Sequence, residues 1–592
     1  MNEGATKAYQ KSIKSTDSAL SELKSKLTQV LVFRLVFFSV FIFAFAMAVQ
    51  SSVYWWMLSM LCLGAFLLAV KKNKALKENQ SFENAKLTIL RDELNVLKGQ
   101  WPSISLPDFK YDSQHAFALD LDVFGKHSMY HLLSRCRLHK AQFLLFNELL
   151  KQPESKEALL EKQAFTQHAA KELNWRIQLR ACGELLEEDP KALDQLMKLD
   201  FEEYASSDYS YFQFFRWFAP VWSIAILSLN FLGILPGAFL VFLFMIPLIL
   251  LGPKLSKIQK TIGKLTDLGN ILESYLRYFQ RIPSALQIPG PLSQLNEQIL
   301  GGYQSIKQLN RISDQFDARN NPLVGILLNA LLGYDGHSII ALKKWQSLGL
   351  KPMRNSLKAL AQMEYYMSLG TWAYHIDEQG QYAHFNDKPL HAEGLFHPFM
   401  LHENVIVNDA MLKTIPEVHI VTGANMSGKS TFLRSVGVNV ILASLGAPVC
   451  AKSFAYSGIQ MFSSMRTTDS LQNGKSYFLS ELERLALITE KVKSGEPILL
   501  LLDEILKGTN SHDKANGSRY FVKQLLDHKV TGFVATHDLS LCELEKESST
   551  IQNQHFAADI QGDDLSFDYT IKPGICDSMN ATFLMKKLGI IS

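Results

Sequence analysis

The stretch VHIVTGANMSGKSTFLRSVG, Val418–Gly437, decides how the C-terminal part of this chain folds. Val418-His419-Ile420-Val421 reads as a short buried strand, and the residues from Thr431 onward read as an amphipathic helix. Between them, Gly423-Ala424-Asn425-Met426-Ser427-Gly428-Lys429-Ser430 fits the pattern GxxxxGK[ST]. The glycines let successive backbone amides and the helix N-terminus wrap around phosphate groups. Lys429 is expected to reach the β- and γ-phosphates, and the Ser430 hydroxyl to ligate Mg²⁺. Residues Gly423 to Thr431 are therefore the expected nucleotide-binding segment, with ATP as the ligand.

Two segments downstream supply the rest of that chemistry. Ile498-Leu499-Leu500-Leu501-Leu502-Asp503-Glu504 is an apolar strand ending in two carboxylates. Asp503 is placed to hold the metal through water and Glu504 to polarise an attacking water. Val534-Ala535-Thr536-His537-Asp538 is another strand with a polar end, which puts His537 near the γ-phosphate. The expected catalytic set from these residues is Lys429, Glu504 and His537, with Ser430 and Asp503 on the metal. Strands alternating with helices from about Glu378 onward predict an α/β domain.

Upstream, the chain changes character. At 592 residues it is too long for one ordinary domain. Its formal net charge of +3 sets up no overall basic field, which leaves a local nucleic-acid patch open. The six cysteines are scattered with no CxxC pair, which argues against a disulfide framework or a zinc site and fits a reducing compartment. About thirty mixed polar residues come first, unlike a cleaved signal peptide. Val30–Val49 and Val53–Val70 follow as apolar runs, each close to the roughly 20 residues that cross a bilayer core. Arg34 is the one charge in the first run, and Gln50-Ser51-Ser52 separates the two. Lysines flank both outer ends and Trp55-Trp56 sits near the tip, so a hairpin with both ends in the cytoplasm is expected. Trp217–Leu251 is a second apolar block, broken at Leu235-Pro236-Gly237 and flanked by Arg216 and Lys254. It reads as a second membrane hairpin. After it, Leu255, Ile258, Ile262, Leu265, Leu268, Leu272, Tyr275 and Leu276 mark an amphipathic helix with one packed face.

The motif wording resembles the family of the DNA mismatch-repair protein MutS. The family's phosphate loop reads TGxNMxGKST, and Thr422–Thr431 here is TGANMSGKST. Asp469–Glu481 resembles the family's trans-acting loop. The resemblance gives Ser476 a catalytic role on the γ-phosphate held by a partner subunit. Tyr477 stands where the family has threonine. Lys507-Gly508-Thr509-Asn510-Ser511-His512-Asp513 is similar to a segment that crosses the family's dimer interface. Phe396-His397-Pro398 and Asn408 resemble the entry to its ATPase domain, with Val405 or Ile406 where an aromatic often stacks on adenine. Upstream, Leu121–Leu133 looks like the start of the MutS helical core. Asn321-Pro322-Leu323, Leu327-Leu328-Asn329 and Trp345 suit the helices leading into the ATPase. The second apolar block occupies the place of the family's DNA-gripping lever. The mismatch-reading domain with its F-x-E wedge has no counterpart at the N-terminus, and Phe146-Asn147-Glu148 and Phe201-Glu202-Glu203 fit that short pattern inside helical runs.

The expected fold class is thus multi-domain: an α-helical core with two transmembrane hairpins, followed by a C-terminal α/β P-loop ATPase domain of the ABC type. The expected organisation is a cytoplasmic helix (1–29), hairpin one (30–70), a helix and linker (71–112), core helices (113–215), hairpin two (216–252), further core helices (253–377) and the ATPase domain (378–592). The resemblance implies a homodimer that completes each ATP site and a DNA ligand. The apolar runs imply a lipid bilayer, here the inner membrane, with soluble parts facing the cytoplasm. The alternative is a membrane mechanoenzyme or transporter-like ATPase with no DNA ligand.

Overall fold

The computed structural model describes residues 2–50, 53–112, 114–186, 206–282, 292–318, 322–401, 405–466, 477–506, 511–561 and 564–576. Ser476, the rest of Asp469–Ser476, Lys507–Asn510 and Phe201-Glu202-Glu203 lie outside them.

The first apolar pair belongs to two unbroken helices, α1 (Glu3–Gln50) and α2 (Val53–Val96). The expected boundaries at 29/30 and 70/71 are therefore changes of polarity along one backbone, not breaks in it. At 1.5 Å per residue α1 is about 70 Å long, more than twice a bilayer core of about 30 Å. In the apolar half the two arms meet through rings, Phe38 on Phe66 at 5.4 Å and Phe45 on Trp56 at 5.6 Å. The Arg34 guanidinium lies 5.9 Å over the Phe66 ring. In the polar half, Tyr9, Ile89, Leu90 and Leu97 form a small core with Ile177 and Ala181.

The charged residues at the base of this stalk are buried together. Glu93 accepts from Arg135 at 2.5 and 3.0 Å and from Arg180. His375 Nε2 lies 3.5 Å from Glu93 and 3.1 Å from the Tyr9 hydroxyl. Burial opposes the Glu93 charge, but Arg135, Arg180 and His375 overturn that and hold its carboxyl at about 2.

Residues 101–112 have no regular structure, as expected of a linker. Short helices α3 (Met129–Leu133), α4 (His139–Leu150), α5 (Lys156–Lys171) and α6 (Leu173–Glu184) follow. The second apolar block forms α7 (Ser206–Phe231), a turn, a 3₁₀ turn at Gly237–Phe239 and α8 (Leu240–Leu251). Pro220 and Pro247 sit inside helices rather than ending them. The chain then runs through α9 (Leu255–Arg281), α10 (Ser293–Ala318), α11 (Pro322–Leu332), α12 (Tyr334–Leu348) and α13 (Leu350–Ile376). On α9 the three-and-four spacing buries Ile258, Leu265, Leu268, Leu272 and Tyr275. Among the described residues, four helices are long and apolar enough to cross a membrane: Glu3–Val49, Val53–Val96, Asp208–Phe231 and Gly237–Thr261. Their large apolar side chains point outward, with Phe33 57%, Ile224 65% and Phe242 73% exposed.

α13 ties the helices to the C-terminal domain. Its buried Glu364 accepts from the Arg137 and Leu138 amides and the Tyr278 hydroxyl, each at 2.8 Å. Further along, the Trp372 indole donates to Pro448 O at 3.0 Å and the Tyr365 hydroxyl to Leu445 O at 3.5 Å.

The C-terminal domain holds two sheets. β1 (His384–Phe385), β2 (Leu390–Leu395), β3 (Asn408–Leu412) and β5 (Ser453–Tyr456) form a small sheet in the order β1-β5-β2-β3. β4 (Glu417–Gly423), β6 (Gln460–Ser464), β7 (Ile498–Asp503), β8 (Val530–Ala535), β9 (Ile551–Gln561) and β10 (Asp564–Pro573) form the large one, ordered β10-β9-β4-β8-β7-β6. It is parallel except for the β9/β10 hairpin. β4 and β8 are buried along their whole length, which explains their near-continuous apolar sequences. Around them lie α14 (Lys429–Ser444), α15 (Tyr477–Lys493) and α16 (Ser511–Leu526).

Candidate active site

The carboxyl ends of three neighbouring parallel strands, β4, β7 and β8, carry Gly423, Asp503 and Ala535. That edge of an open α/β sheet is where ligands bind, because loops leaving adjacent strands part there. Gly423 and Gly428 have φ of +146° and +108°, and a Cβ on Gly423 would lie 2.8 Å from Phe556 O. The loop thus turns only with glycine at these positions. Met426 takes φ +68° and is 82% exposed. Gly428 caps α14, so the helix N-terminus opens onto the loop. Lys429 lies along the loop and donates to Gly423 O at 2.7 Å and Ala424 O at 2.8 Å.

The acidic pair arrives from β7. The Ser430 hydroxyl donates to Asp503 Oδ2 at 2.5 Å. Glu504 has φ +54°, and its amide donates to Ala535 O at 2.9 Å, locking the turn against β8. Its carboxylate is ion-paired with His537 Nε2, whose Nδ1 donates to Gly423 O at 3.1 Å. One imidazole therefore links the phosphate-loop strand to the second carboxylate. Glu481, the last residue of the segment resembling the trans-acting loop, accepts from the Leu506 amide at 2.5 Å. It braces the turn just after Glu504.

Beside these groups lies a cavity of 530 Å³ whose lining includes Ala424 to Thr431, Glu504, Phe396, His397, Met400, Ile406, Asn408 and Tyr569. Of the expected site residues, Ala424 to Thr431 and Glu504 line it, and Gly423, Asp503 and His537 are bonded to Lys429, Ser430 and Glu504. Ser476 is outside the described residues. The apolar side of the cavity was only partly anticipated. Ile406, one of the two aliphatic residues read at the adenine position, lines it, and Tyr569, from the β9/β10 hairpin, was missed. Tyr569 takes φ +51°, and its ring lies 3.4 Å from the position a Cβ on Gly428 would occupy. Asn408 fixes that hairpin, donating to Tyr569 O at 3.0 Å and accepting from the Ile571 amide at 2.7 Å. No motif marks a tyrosine so far beyond the loop, so nothing in the sequence pointed to it.

His397 also borders the cavity. Its ring packs on Phe399 at 4.6 Å, and Phe399 in turn meets Trp101 of the linker at 5.2 Å. Burial, helped by the nearby Arg434 charge, pushes the His397 imidazole down to about 4. Among the described residues no cluster of three or more His, Cys, Asp or Glu could hold a metal ion. The donors beside the loop are two oxygens, Ser430 Oγ and Asp503 Oδ2. That pair suits Mg²⁺, which keeps several waters and borrows phosphate oxygens.

Comparison with known proteins agrees with this geometry. Residues 419–586 match the family model described as MutS domain V. DNA mismatch repair protein MutS of Thermotoga sp. (strain RQ2) is 32% identical over 209 residues, covering 35% of this chain and 26% of that protein. The MutS of Thermotoga maritima shows the same identity and coverage. That of Thermotoga neapolitana is 30% identical over 196 residues, 33% of this chain and 24% of that protein. The match thus spans only about a quarter of the curated relatives' length. The part of the chain that carries this cavity is thus similar to MutS domain V.

Proposed function

We propose that this chain is a membrane-anchored MutS-type ATPase, hydrolysing ATP with Mg²⁺ at a site that a second copy completes. The observation that carries the reading is the convergence of Lys429, Ser430 and Glu504 on one cavity at the ends of β4, β7 and β8, with Asp503 bonded to Ser430 and His537 paired with Glu504. In this reading the 423–428 amides and the N-terminus of α14 hold the β- and γ-phosphates, with Lys429 adding a point charge. Ser430 and Asp503 hold Mg²⁺, which when bound neutralises phosphate charge. Glu504 orients and deprotonates the attacking water. His537 holds the Glu504 carboxylate against the Gly423 end of the loop, so the base is positioned before substrate arrives. Phe396, Met400, Ile406 and Tyr569 form the base-binding side.

Ser476 from a second copy then meets the γ-phosphate, and α7, α8 and the apolar halves of α1 and α2 lie in the bilayer. The exposed apolar rings and aliphatic side chains of those helices support this, because water does not tolerate a surface of that extent. The helical region engages DNA chiefly through phosphates, so its binding falls steeply with salt.

The test is ATP turnover by the full chain in nanodiscs, with and without duplex, branched or mismatched DNA at low salt. ATPase that depends on Lys429 and rises with DNA supports the whole proposal. Lys429-dependent ATPase that ignores every DNA supports the second reading, a mechanoenzyme that acts on the membrane. One observation favours that reading: α8 passes through a single 3₁₀ turn, Gly252–Lys254, directly into α9, which is locked to α13 through Tyr278 and Glu364. No Lys429-dependent turnover at all would defeat both. For the composite site, mixed dimers of Lys429→Ala and Ser476→Ala chains should keep one working site, and two chains carrying both changes should keep none.

A further inference from the structure

α11 has the sequence PLVGILLNALL, and the sequence reading treated it as one of the helices leading into the ATPase. It does not pack like one. Its Ile326, Leu327 and Leu332 are 52%, 58% and 49% exposed, while Gly325, Asn329 and Ala330 are buried. The buried side rests on α7 and α8 of the second apolar hairpin. Small residues make that contact, and the Ser223 hydroxyl of α7 donates to Ala330 O at 3.2 Å. Close approach of small residues with a serine hydrogen bond between backbones is how helices associate inside lipid.

The end of α11 is built for the same setting. The chain bends by 83° into α12. Gly333 makes the bend at φ +61°, where a Cβ would lie 2.8 Å from Phe215 O of α7. Asn329 bonds at both ends, donating to Gly325 O at 3.0 Å and accepting from the Asp335 amide at 2.8 Å. An amide freed by a bend is thus satisfied within the chain, as a water-poor surrounding requires. The bend also lies at the polar rim of the hairpin. There Arg216 lies 5.1 Å over the Trp217 ring, and Trp217 meets His337 of α12 at 6.1 Å. From that rim α11 runs beside the part of α7 that exposes Val221 and Ile224.

We infer that α11 is a third lipid-immersed element of the second hairpin, a half-length helix whose Ile326–Leu327–Leu332 face is covered by acyl chains. Eleven residues reach only about 16 Å, so it enters the hydrocarbon without crossing it. The occupant is lipid because the face continues the outer surface of α7 and α8 from the rim marked by Arg216, Trp217 and His337. This inference rests on the reading that α7 and α8 lie in the bilayer, and the test separates the two.

Nitroxide labels are placed singly at Leu327→Cys, Ile326→Cys, Ile224→Cys on α7 and Lys344→Cys on α12, in the full chain in phosphatidylcholine/phosphatidylglycerol nanodiscs. All six native cysteines are buried, and the unsubstituted chain serves as the labelling blank. Relaxation by molecular oxygen reports lipid and relaxation by a nickel chelate reports water. The expected result is oxygen outweighing nickel at Ile326, Leu327 and Ile224, and the reverse at Lys344. Nickel outweighing oxygen at Leu327 and Ile326 while Ile224 stays in lipid overturns the inference and leaves the hairpin reading intact. Protection from both reagents at Leu327 and Ile326 assigns the face to a protein neighbour and also overturns it. Nickel access at Ile224 removes the hairpin reading, and this inference with it.

Discussion

Two Glu–His pairs in this chain look alike on paper and differ in what surrounds them. Glu504 and His537 are 18% and 34% exposed, and Glu504 lines a 530 Å³ cavity. Glu93 and His375 are 1% and 4% exposed and lie against Tyr9, Arg135 and Arg180, beside a cavity of only 50 Å³ that His375 lines. The first pair has room for a reacting molecule, and the second has spent every contact on its neighbours. Charged residues of one type thus become chemistry or scaffold according to whether their free valences point into space or into protein. The contrast predicts opposite phenotypes for the same kind of substitution.

The largest effect is expected at the open pair. Glu504→Gln keeps the shape of the side chain and removes the base, so kcat should fall by about 10²–10⁴-fold. ATP affinity and thermal stability should stay close to those of the parent, and the ATP-bound dimer should accumulate in light scattering. A comparable loss of melting temperature in this variant would erase the distinction drawn above.

Glu93→Gln should do the reverse. It leaves two buried guanidiniums without their carboxylate, which costs about 3–5 kcal/mol. The unfolding transition of the detergent-solubilised chain should move down sharply, while turnover per folded molecule holds. Should Glu93→Gln lower kcat at unchanged stability, the buried knot is part of the catalytic cycle and the comparison fails from its other side.

Acid separates the two regions by pH. The His397 imidazole is held at about 4 against an ordinary 6.5, so folding favours its neutral form. That contribution is complete above 6.5 and is lost as pH falls from 6.5 towards 4, a change of about 3 kcal/mol. Glu93 is held at about 2 against 4.5, so its contribution is complete above 4.5 and is lost as pH falls towards 2. Melting temperature against pH should therefore drop in two windows. His397→Asn should flatten the upper one and Glu93→Gln the lower one. A His397→Asn curve identical to the parent's between 6.5 and 4 would mean the imidazole is not held neutral.

The open site was legible in the sequence because its groups must sit at fixed spacing on a strand end or a loop. Gly423, Gly428, Lys429, Ser430, Asp503 and Glu504 could be assigned places before any coordinate was known. The long apolar helices were legible because length and polarity along the chain are enough to mark them. The Glu93 knot was invisible, since its members come from α1, α2, α6, α13 and the turn before α4, and no local pattern unites them. The exposed face of α11 was not legible for a related reason: eleven apolar residues suit a core helix and a lipid-facing one equally, and the exposure of Ile326, Leu327 and Leu332 emerges only from packing against α7 and α8.

Tyr569 tests the same rule where the effect is smallest. It belongs to no motif, yet it faces the cavity across from the loop and is held there by Asn408. If facing the cavity is what makes a residue functional, Tyr569→Ala should weaken ATP binding by about 1 kcal/mol, near 5-fold in Kd, through loss of the stacking face. Tyr569→Phe, which keeps the ring, should bind like the parent, and kcat should hold in both because the ring is remote from Glu504 chemistry. Isothermal titration with ATP and with inorganic triphosphate sharpens the point, since only the ligand carrying a base should feel the change. Equal weakening for both ligands would mean that Tyr569 supports the Gly428 turn rather than the base, and that position on the cavity wall alone does not reveal a binding role.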